Sequence, residues 1–160
     1  MSWSARLNQL GLVLPPVAAP AGAYVPAVRS GSLVFTAGQL PLVDGALAAT
    51  GKLGAEINTE RGRQLARTCA LNALAAVDNL VGLDAVLRVV KIVGFVASAP
   101  GFTAQPAVLN GASELLGEIF GEAGAHARSA VGVAELPLGA PVEIEFVAEV
   151  SSSTATSTGV

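Results

Sequence analysis

The sequence predicts an α+β domain, in which a β-sheet is covered on one face by two helices. Apolar side chains recur at three- and four-residue steps over residues 58–81 and 103–120, a spacing typical of amphipathic helices. Runs of β-branched residues predict strands, and the clearest run, 142–150, largely alternates apolar and acidic side chains. A chain of 160 residues can bury one core, so we expect a single domain.

The beginning of the chain predicts an arm that precedes this domain. Apolar residues share one side of a short helix over residues 2–14. Pro15 and Pro16 end that helix, because proline cannot continue its hydrogen-bond ladder, and extended backbone follows. We therefore expect an arm over residues 1–21 and the domain over residues 22–150.

Two predicted strands, 24–28 and 32–40, open the domain, with Arg29-Ser30-Gly31 as the turn between them. Asp44-Gly45 is a second turn signal, and a short strand over residues 46–50 is expected after it. The domain thus begins with two short stretches of β-structure.

The two long helices have recognisable ends. Asn58 or Thr59 can cap the first helix, and Gly82 is placed to end it. Cys69 lies on the apolar stripe of that helix, where we expect an inert, small apolar residue. Thr103 is the expected N-cap of the second helix.

Three further strands are predicted over residues 86–98, 127–136 and 142–150. The first is apolar on both faces, which is typical of a strand inside a sheet. The last ten residues, 151–160, are rich in serine and threonine and predict a disordered tail. Because the helices cover one face only and 52% of the residues are apolar, we expect another copy to cover the second face.

Composition excludes several classes of function. The nine basic residues are dispersed and the net charge is −3, so binding to nucleic acid through phosphate neutralisation is not expected. Prolines break the longest uncharged stretches, so no helix across a membrane is expected. One cysteine and one histidine do not build a zinc site. The single cysteine and the lack of a signal peptide predict a reducing, cytoplasmic location.

The last predicted strand carries three candidate carboxylates. Its even positions are apolar, so alternation assigns Glu143, Glu145 and Glu149 to the face opposite the helices. A solvated strand face accounts for at least two of them. Parity alone does not choose between Glu143 and Glu145 as a functional group.

Arg128 is the main cationic candidate, and it shares a strand face with Ala130 and Gly132. These small neighbours leave room above the sheet, as the floor of a pocket requires. Two interpretations remain open: a surface arginine paired with a glutamate, or an anchor for a carboxylate, which guanidinium binds bidentately. Tyr24 is expected to be a wall or interface residue, and His126 to cap a loop.

Four segments together resemble one known family. They are Tyr24-Val25-Pro26, Phe35-Thr36-Ala37-Gly38-Gln39-Leu40-Pro41, Ala127-Arg128-Ser129-Ala130-Val131 and Leu136-Pro137-Leu138-Gly139-Ala140-Pro141-Val142-Glu143-Ile144-Glu145. In these motifs, and in their order around the two helices, residues 22–150 resemble the RidA/YjgF family of reactive-intermediate deaminases.

The resemblance implies a chorismate-mutase-like α+β fold and a homotrimer with pockets between its subunits. It also implies that the last strand inserts beside earlier strands and does not form a simple hairpin with its neighbour. Members of the family hydrolyse reactive 2-imino or enamine acids to 2-oxo acids and ammonia, and this chemistry needs no cofactor and no metal.

The resemblance also implies roles for individual residues. By position, Arg128 matches the arginine that holds the substrate carboxylate, and Glu143 matches the glutamate that positions or activates the attacking water. Tyr24 matches a pocket-wall tyrosine, Gly38 a glycine whose backbone lines the site, and Asn110 a pocket asparagine.

Ala130 departs from the family pattern, because the best-known deaminases carry cysteine at this substrate-binding position. The departure keeps an alternative open, a non-catalytic member that binds small carboxylates or has a regulatory role. Ribonuclease activity, attributed to some relatives, is disfavoured by the acidic balance and the absence of a basic track.

Overall fold

The computed structural model describes residues 1–152, which form a five-stranded sheet, a two-stranded ribbon and three α-helices. The sheet has the order β1-β2-β7-β5-β6, in which β5 and β6 run parallel and all other neighbours run antiparallel. The predicted α+β class is confirmed. In chain order the elements are α1 (Trp3–Gln9), β1 (Ala27–Ser30), β2 (Leu33–Thr36), β3 (Leu42–Val43), β4 (Ala46–Leu47), α2 (Thr59–Val81), β5 (Val86–Ala97), α3 (Gln105–Phe120), β6 (Ala127–Val133) and β7 (Val142–Val150).

Strand β7 lies at the centre of the sheet, between β2 and β5. Its predicted bounds are correct, and so is the implied insertion beside earlier strands. Burial alternates along the strand, with the acidic positions half-buried on the uncovered face. The side chains of the alternate set are buried on the helix-covered face: Val142, Ile144, Phe146, Ala148 and Val150.

Both long helices pack on that buried face, as predicted. The side chain of Asn58 accepts a hydrogen bond from the backbone N–H of Arg61 (2.8 Å), so Asn58 is the N-cap of α2, and Gly82 ends the helix with a positive φ. Cys69 is buried, and its Sγ lies 3.6 Å from the carbonyl oxygen of Val142. Burial raises the pKa of the Cys69 thiol well above its usual value, with a smaller contribution from Glu143, which keeps the thiol neutral and inert.

The helices approach each other closely at Gly111. A Cβ added there would collide with the carbonyl oxygen of Arg63 on α2, so only glycine permits this spacing. Under α3, a Cβ at Gly94 of β5 would collide with the side chain of Leu109. Two glycines therefore set how closely α3 lies against its neighbours.

The first hairpin differs from its prediction. The first strand begins at Ala27, not at residue 24, and it includes Arg29 and Ser30, which were expected to form the turn. The turn is Gly31-Ser32, where Gly31 has a φ of 61°. The pairing of β1 with β2 thus continues up to Gly31, because glycine is the first residue here that adopts a positive φ at low energetic cost.

The predicted N-cap of α3 is also wrong. The N-cap is Ala104, without a side-chain hydrogen bond, and Pro106 lies in the first turn. Proline has no N–H, so this turn has one donor fewer to satisfy. The helix before the domain is shorter than predicted, because it ends at Gln9, and β6 ends at Val133 rather than at residue 136.

The first helix packs on the rest of the molecule. Trp3 meets Phe120 edge to face, with ring centroids 5.1 Å apart, and its Nε1 donates to the carbonyl oxygen of Val86 (2.8 Å). At the other terminus, Ser151 donates its N–H to the carbonyl oxygen of Ala85. The rest of the predicted tail, from residue 153, lies outside the described residues.

The second face of the sheet carries no helix and exposes apolar side chains. Phe35, Val28 and Val131 are 43%, 51% and 43% exposed, and they lie on three different strands of this face. The three acidic positions of β7 share the face. Across residues 1–152, no helix has the length and apolarity needed to cross a membrane.

A substitution at Gly111 tests the close approach of the helices. Alanine there must displace the backbone of α2, so we expect Gly111→Ala to lower the free energy of unfolding by more than about 2 kcal/mol. Urea unfolding at one fixed protomer concentration measures the change.

Gly117, also on α3, is the matched control, because a Cβ added at this position meets no other atom. Gly117→Ala should leave stability unchanged or raise it by up to about 1 kcal/mol, since alanine favours a helix more than glycine does. Equal effects of the two substitutions would contradict the packing argument.

Candidate functional site

Arg128 lies at the start of edge strand β6 and reaches toward α3. Its Nη1 donates to Asn110 Oδ1 (2.8 Å) and to Ser113 Oγ (3.2 Å), and its Nη2 donates to the carbonyl oxygen of Pro106 (3.4 Å). All three acceptors are neutral, and no salt bridge joins Arg128 to a carboxylate within residues 1–152. A half-buried cation held by neutral groups suits anion binding. The other interpretation of Arg128, a surface arginine paired with a glutamate, finds no such ion pair in this part of the chain.

Ser113 and His126 extend this arrangement. His126 Nε2 lies 2.9 Å from Ser113 Oγ, and His126 Nδ1 lies 2.6 Å from the carbonyl oxygen of Gly124. The contact with Gly124 agrees with the expectation that His126 caps a loop. The contact with Ser113 was not predicted, although His126 precedes Arg128 by two residues, a spacing that places both on one side of extended backbone.

A cavity of about 470 Å³ opens beside these side chains. Its polar lining comes from Arg128, Ser113 and His126, and glycines supply much of the remainder. Within this lining no acidic residue occurs, so the cavity favours ligands with negative charge.

The register of the sheet shows which face Arg128 occupies. Arg128 pairs with Ile92 of β5, and Ile92 pairs with Phe146 of β7. Paired residues share a face, and Ile92 and Phe146 are buried under the helices. Arg128 and Ala130 therefore lie on the helix side of the sheet, where Ala130 packs against the core.

Glu143 lies on the uncovered face, next to Gly38. Between Phe35, which pairs with Val147, and Gln39, which pairs with Ile144, the segment after β2 contains one residue more than β7. This bulge brings Gly38 against Glu143, and a Cβ on Gly38 would collide with the Glu143 carboxylate. The absence of a side chain at Gly38 thus creates the space that the carboxylate occupies.

The environment of Glu143 favours its neutral form. Burial raises the pKa of Glu143, and the nearby charge of Glu145 raises it further. No hydrogen bond or salt bridge to the Glu143 carboxylate is found within residues 1–152. A raised pKa makes the carboxylate a stronger base than an ordinary glutamate, and its free oxygens can contact a ligand.

Tyr24 lies outside the sheet, just before β1, and is half exposed. Its hydroxyl oxygen accepts a hydrogen bond from the N–H of Ala21 (3.2 Å). The carbonyl oxygen of the nearby Pro26 accepts from Ala37, which precedes Gly38. Tyr24 is therefore at the same end of the β1–β2 hairpin as Gly38.

The six candidate residues form two groups. Arg128, Asn110 and Ala130 lie where β6 meets α3, on the helix side of the sheet. Glu143 and Gly38 lie on the uncovered side, and Tyr24 lies at the end of the β1–β2 hairpin that is next to Gly38. The sheet therefore separates the arginine from the glutamate within one chain. Within residues 1–152, no three histidine, cysteine or acidic side chains form a group able to hold a metal ion.

Comparison with known proteins identifies relatives of this chain. The family model described as "YjgF/chorismate mutase-like, putative endoribonuclease" matches residues 4–150. Protein TCP17 of Trypanosoma cruzi is 47% identical over 151 residues, which cover 93% of this chain and 94% of that protein.

Solved structures give the same result. The crystal structure of a "putative endoribonuclease" from Shewanella oneidensis is 35% identical in sequence and superposes with a TM-score of 0.90. The match covers 94% of this chain and 100% of that chain. Escherichia coli TdcF, solved with bound serine, is 29% identical with a TM-score of 0.59, over 84% of this chain and 94% of that chain.

The raised pKa of Glu143 predicts how stability depends on pH. The folded chain favours the protonated carboxyl, so this contribution to stability is complete below the usual pKa of 4.5 and is lost as the pH rises through the raised value. The amide of the Glu143→Gln variant stays neutral at every pH. We therefore expect its free energy of unfolding to lack the decrease that ionisation of Glu143 causes in the wild-type protein. Urea unfolding between about pH 4 and pH 8 measures it.

Two neighbouring glutamates provide the control. Glu145→Gln removes the charge that disfavours ionisation of Glu143, so the pKa of Glu143, measured by carboxyl-carbon NMR, should fall. Glu149→Gln is the matched substitution, because Glu149 is not a cause of the shift, and it should leave that pKa in place. A fall of equal size in both variants would contradict this assignment.

Proposed function

Because this chain belongs to the YjgF/chorismate mutase-like family, we propose that it hydrolyses reactive 2-imino or enamine acids to 2-oxo acids and ammonia. Membership in the family supports binding of a small molecule. The observation that carries the finer proposal is Arg128, a half-buried guanidinium with neutral partners that faces a cavity without acidic residues. Such a group is suited to the carboxylate that all these substrates share.

Glu143 supplies the proton chemistry in this proposal. The carboxylate takes a proton from a water molecule while the water oxygen bonds to C2 of the imine, and the imine nitrogen is protonated. The proton on the imine nitrogen comes from solvent, and Glu143 returns the proton of the water to the nitrogen of the resulting carbinolamine. Ammonia then leaves as C2=O forms, and the hydroxyl proton passes to solvent. Water is consumed and no electrons are exchanged.

Arg128 and Glu143 act together only if they come from different chains, because the sheet separates them within one chain. We therefore include in the proposal a homotrimer, as the family resemblance implies, with each pocket between two subunits. The uncovered face supports it, since its exposed Phe35, Val28 and Val131 would be buried by neighbouring copies. In each pocket Arg128 of one subunit would face Glu143 of the next.

A non-catalytic member that binds small carboxylates is the second candidate function. Ala130 favours it, because its methyl group, on the same sheet face as Arg128, offers neither a proton nor a nucleophile. This candidate predicts that 2-oxo acids stabilise the protein by mass action while freshly formed 2-iminopropanoate decays at its buffer rate.

Single substitutions test the catalytic proposal. We expect Glu143→Gln to lower kcat about 10²- to 10⁴-fold, the usual range for loss of an acid–base group. Arg128→Ala should raise KM about 10-fold or more, because a charge-assisted bond to the substrate is lost. Arg61→Ala is the matched control, since Arg61 bonds to Gln64 and to the Ala48 carbonyl away from either group. Release of ammonia from 2-iminopropanoate measures all three variants.

Mixing the two impaired variants, at a substrate concentration well below KM, tests whether the site is shared. In trimers assembled from equal amounts of Arg128→Ala and Glu143→Gln chains, about one quarter of the pockets combine both native side chains. Activity should therefore reappear at about one quarter of the wild-type value. A mixture no more active than the mean of its two components would contradict a shared pocket, and inactivity of the wild-type protein would contradict the deaminase proposal itself.

A further inference from the structure

We propose that His126 is a positioning residue that orients Arg128 through the hydroxyl of Ser113, and so sets how tightly the site holds a carboxylate. The inference rests on the proposed role of Arg128 in carboxylate binding. It concerns two residues that the family motifs quoted above do not include.

The direction of each hydrogen bond follows from its partners. The carbonyl oxygen of Gly124 can only accept, so His126 Nδ1, 2.6 Å away, carries the proton. In the neutral ring Nε2 is then an acceptor, and Ser113 donates its hydroxyl proton to it across 2.9 Å. The protons of this series are therefore all directed from Ser113 toward Gly124.

This direction determines what Ser113 presents to the arginine. Its single proton points to His126, so the lone pairs of Oγ remain available to Arg128 Nη1 at 3.2 Å. Asn110 Oδ1 holds the same nitrogen at 2.8 Å, and two acceptors fix its direction better than one. Without His126 the hydroxyl is free to rotate and to direct its proton at the guanidinium, which would repel it.

Both ends of this series of hydrogen bonds are held by α3. Ser113 lies on α3, and Gly124 is buried against the last turn of that helix, where an added Cβ would collide with the carbonyl oxygen of Leu116. The carbonyl group that orients His126 therefore has a fixed place relative to Ser113. The same three side chains, Arg128, Ser113 and His126, line the 470 Å³ cavity, so an anion on Arg128 would bind beside them.

Two substitutions of His126 separate its two contacts. Asparagine carries an N–H where Nδ1 lies, so His126→Asn keeps the bond to Gly124 but does not reach Ser113. Glutamine carries its amide where Nε2 lies, so His126→Gln can accept from Ser113 but loses the bond to Gly124. Ser113→Ala removes the hydroxyl itself.

The experiment measures binding of pyruvate, the stable 2-oxo acid that the proposed reaction forms from 2-iminopropanoate, to the full-length protein by ligand-observed NMR. We expect Ser113→Ala and His126→Asn each to raise Kd about 3- to 30-fold, less than the loss of a whole hydrogen bond to a charged group, because the guanidinium itself remains. His126→Gln should remain within about 3-fold of wild type. The double variant Ser113→Ala/His126→Asn should bind no more weakly than either single variant, because both act on one contact.

The outcomes separate this inference from the deaminase proposal. Unchanged Kd values in Ser113→Ala and His126→Asn, with loss of binding in Arg128→Ala, would overturn the role of His126 and leave the function intact. The expected Kd pattern in a protein without turnover would support the role of His126 and overturn the deaminase. Pyruvate binding that does not depend on Arg128, or no binding at all, would overturn both. If turnover is present, the same variants should raise KM and leave kcat nearly unchanged, which a general loss of structure would not do.

Discussion

The alternation of side chains along the central strand β7 is the constraint on which the rest of this molecule depends. Every second residue is buried beneath α2 and α3, and the residues between them face the side that has no helix. Pairing then carries the same division across the sheet to Arg128 on the edge strand. One strand therefore builds the core and also keeps Glu143 on the opposite side from Arg128, so that a single chain holds two incomplete halves of the proposed site.

The two halves are complementary in charge. Arg128 carries a positive charge that only neutral oxygen atoms contact. Glu143 lies beside a like-charged glutamate, and both this neighbour and burial disfavour its ionisation. A cation without an anion and a carboxyl group without a cation each lower their free energy on meeting an opposite charge. In the proposed trimer, electrostatics and burial of the apolar face would favour the same assembly.

Local patterns were predictable from the sequence, and contacts between distant segments largely were not. The bounds of β7 and the Asn58 cap of α2 follow from alternation and from a side chain three residues from its partner. The turn at Gly31 was misplaced by the competing signals of adjacent turn-forming residues, and the start of α3 by a threonine that makes no cap. The contact of Ser113 with His126 needs α3 packed against β6, which no local pattern encodes. Only the resemblance to known proteins singled out Glu143, because the alternation treats Glu145 identically.

The bulge at Gly38 has a consequence for how this protein can vary. The bulge brings the backbone of Gly38 against β7, and the missing side chain provides the space that the Glu143 carboxyl group fills. Any larger amino acid at position 38 would displace the Glu143 carboxyl group from this space. Substitutions in the surrounding loop can change the shape of the space around the Glu143 carboxyl group, but we expect residue 38 to remain glycine.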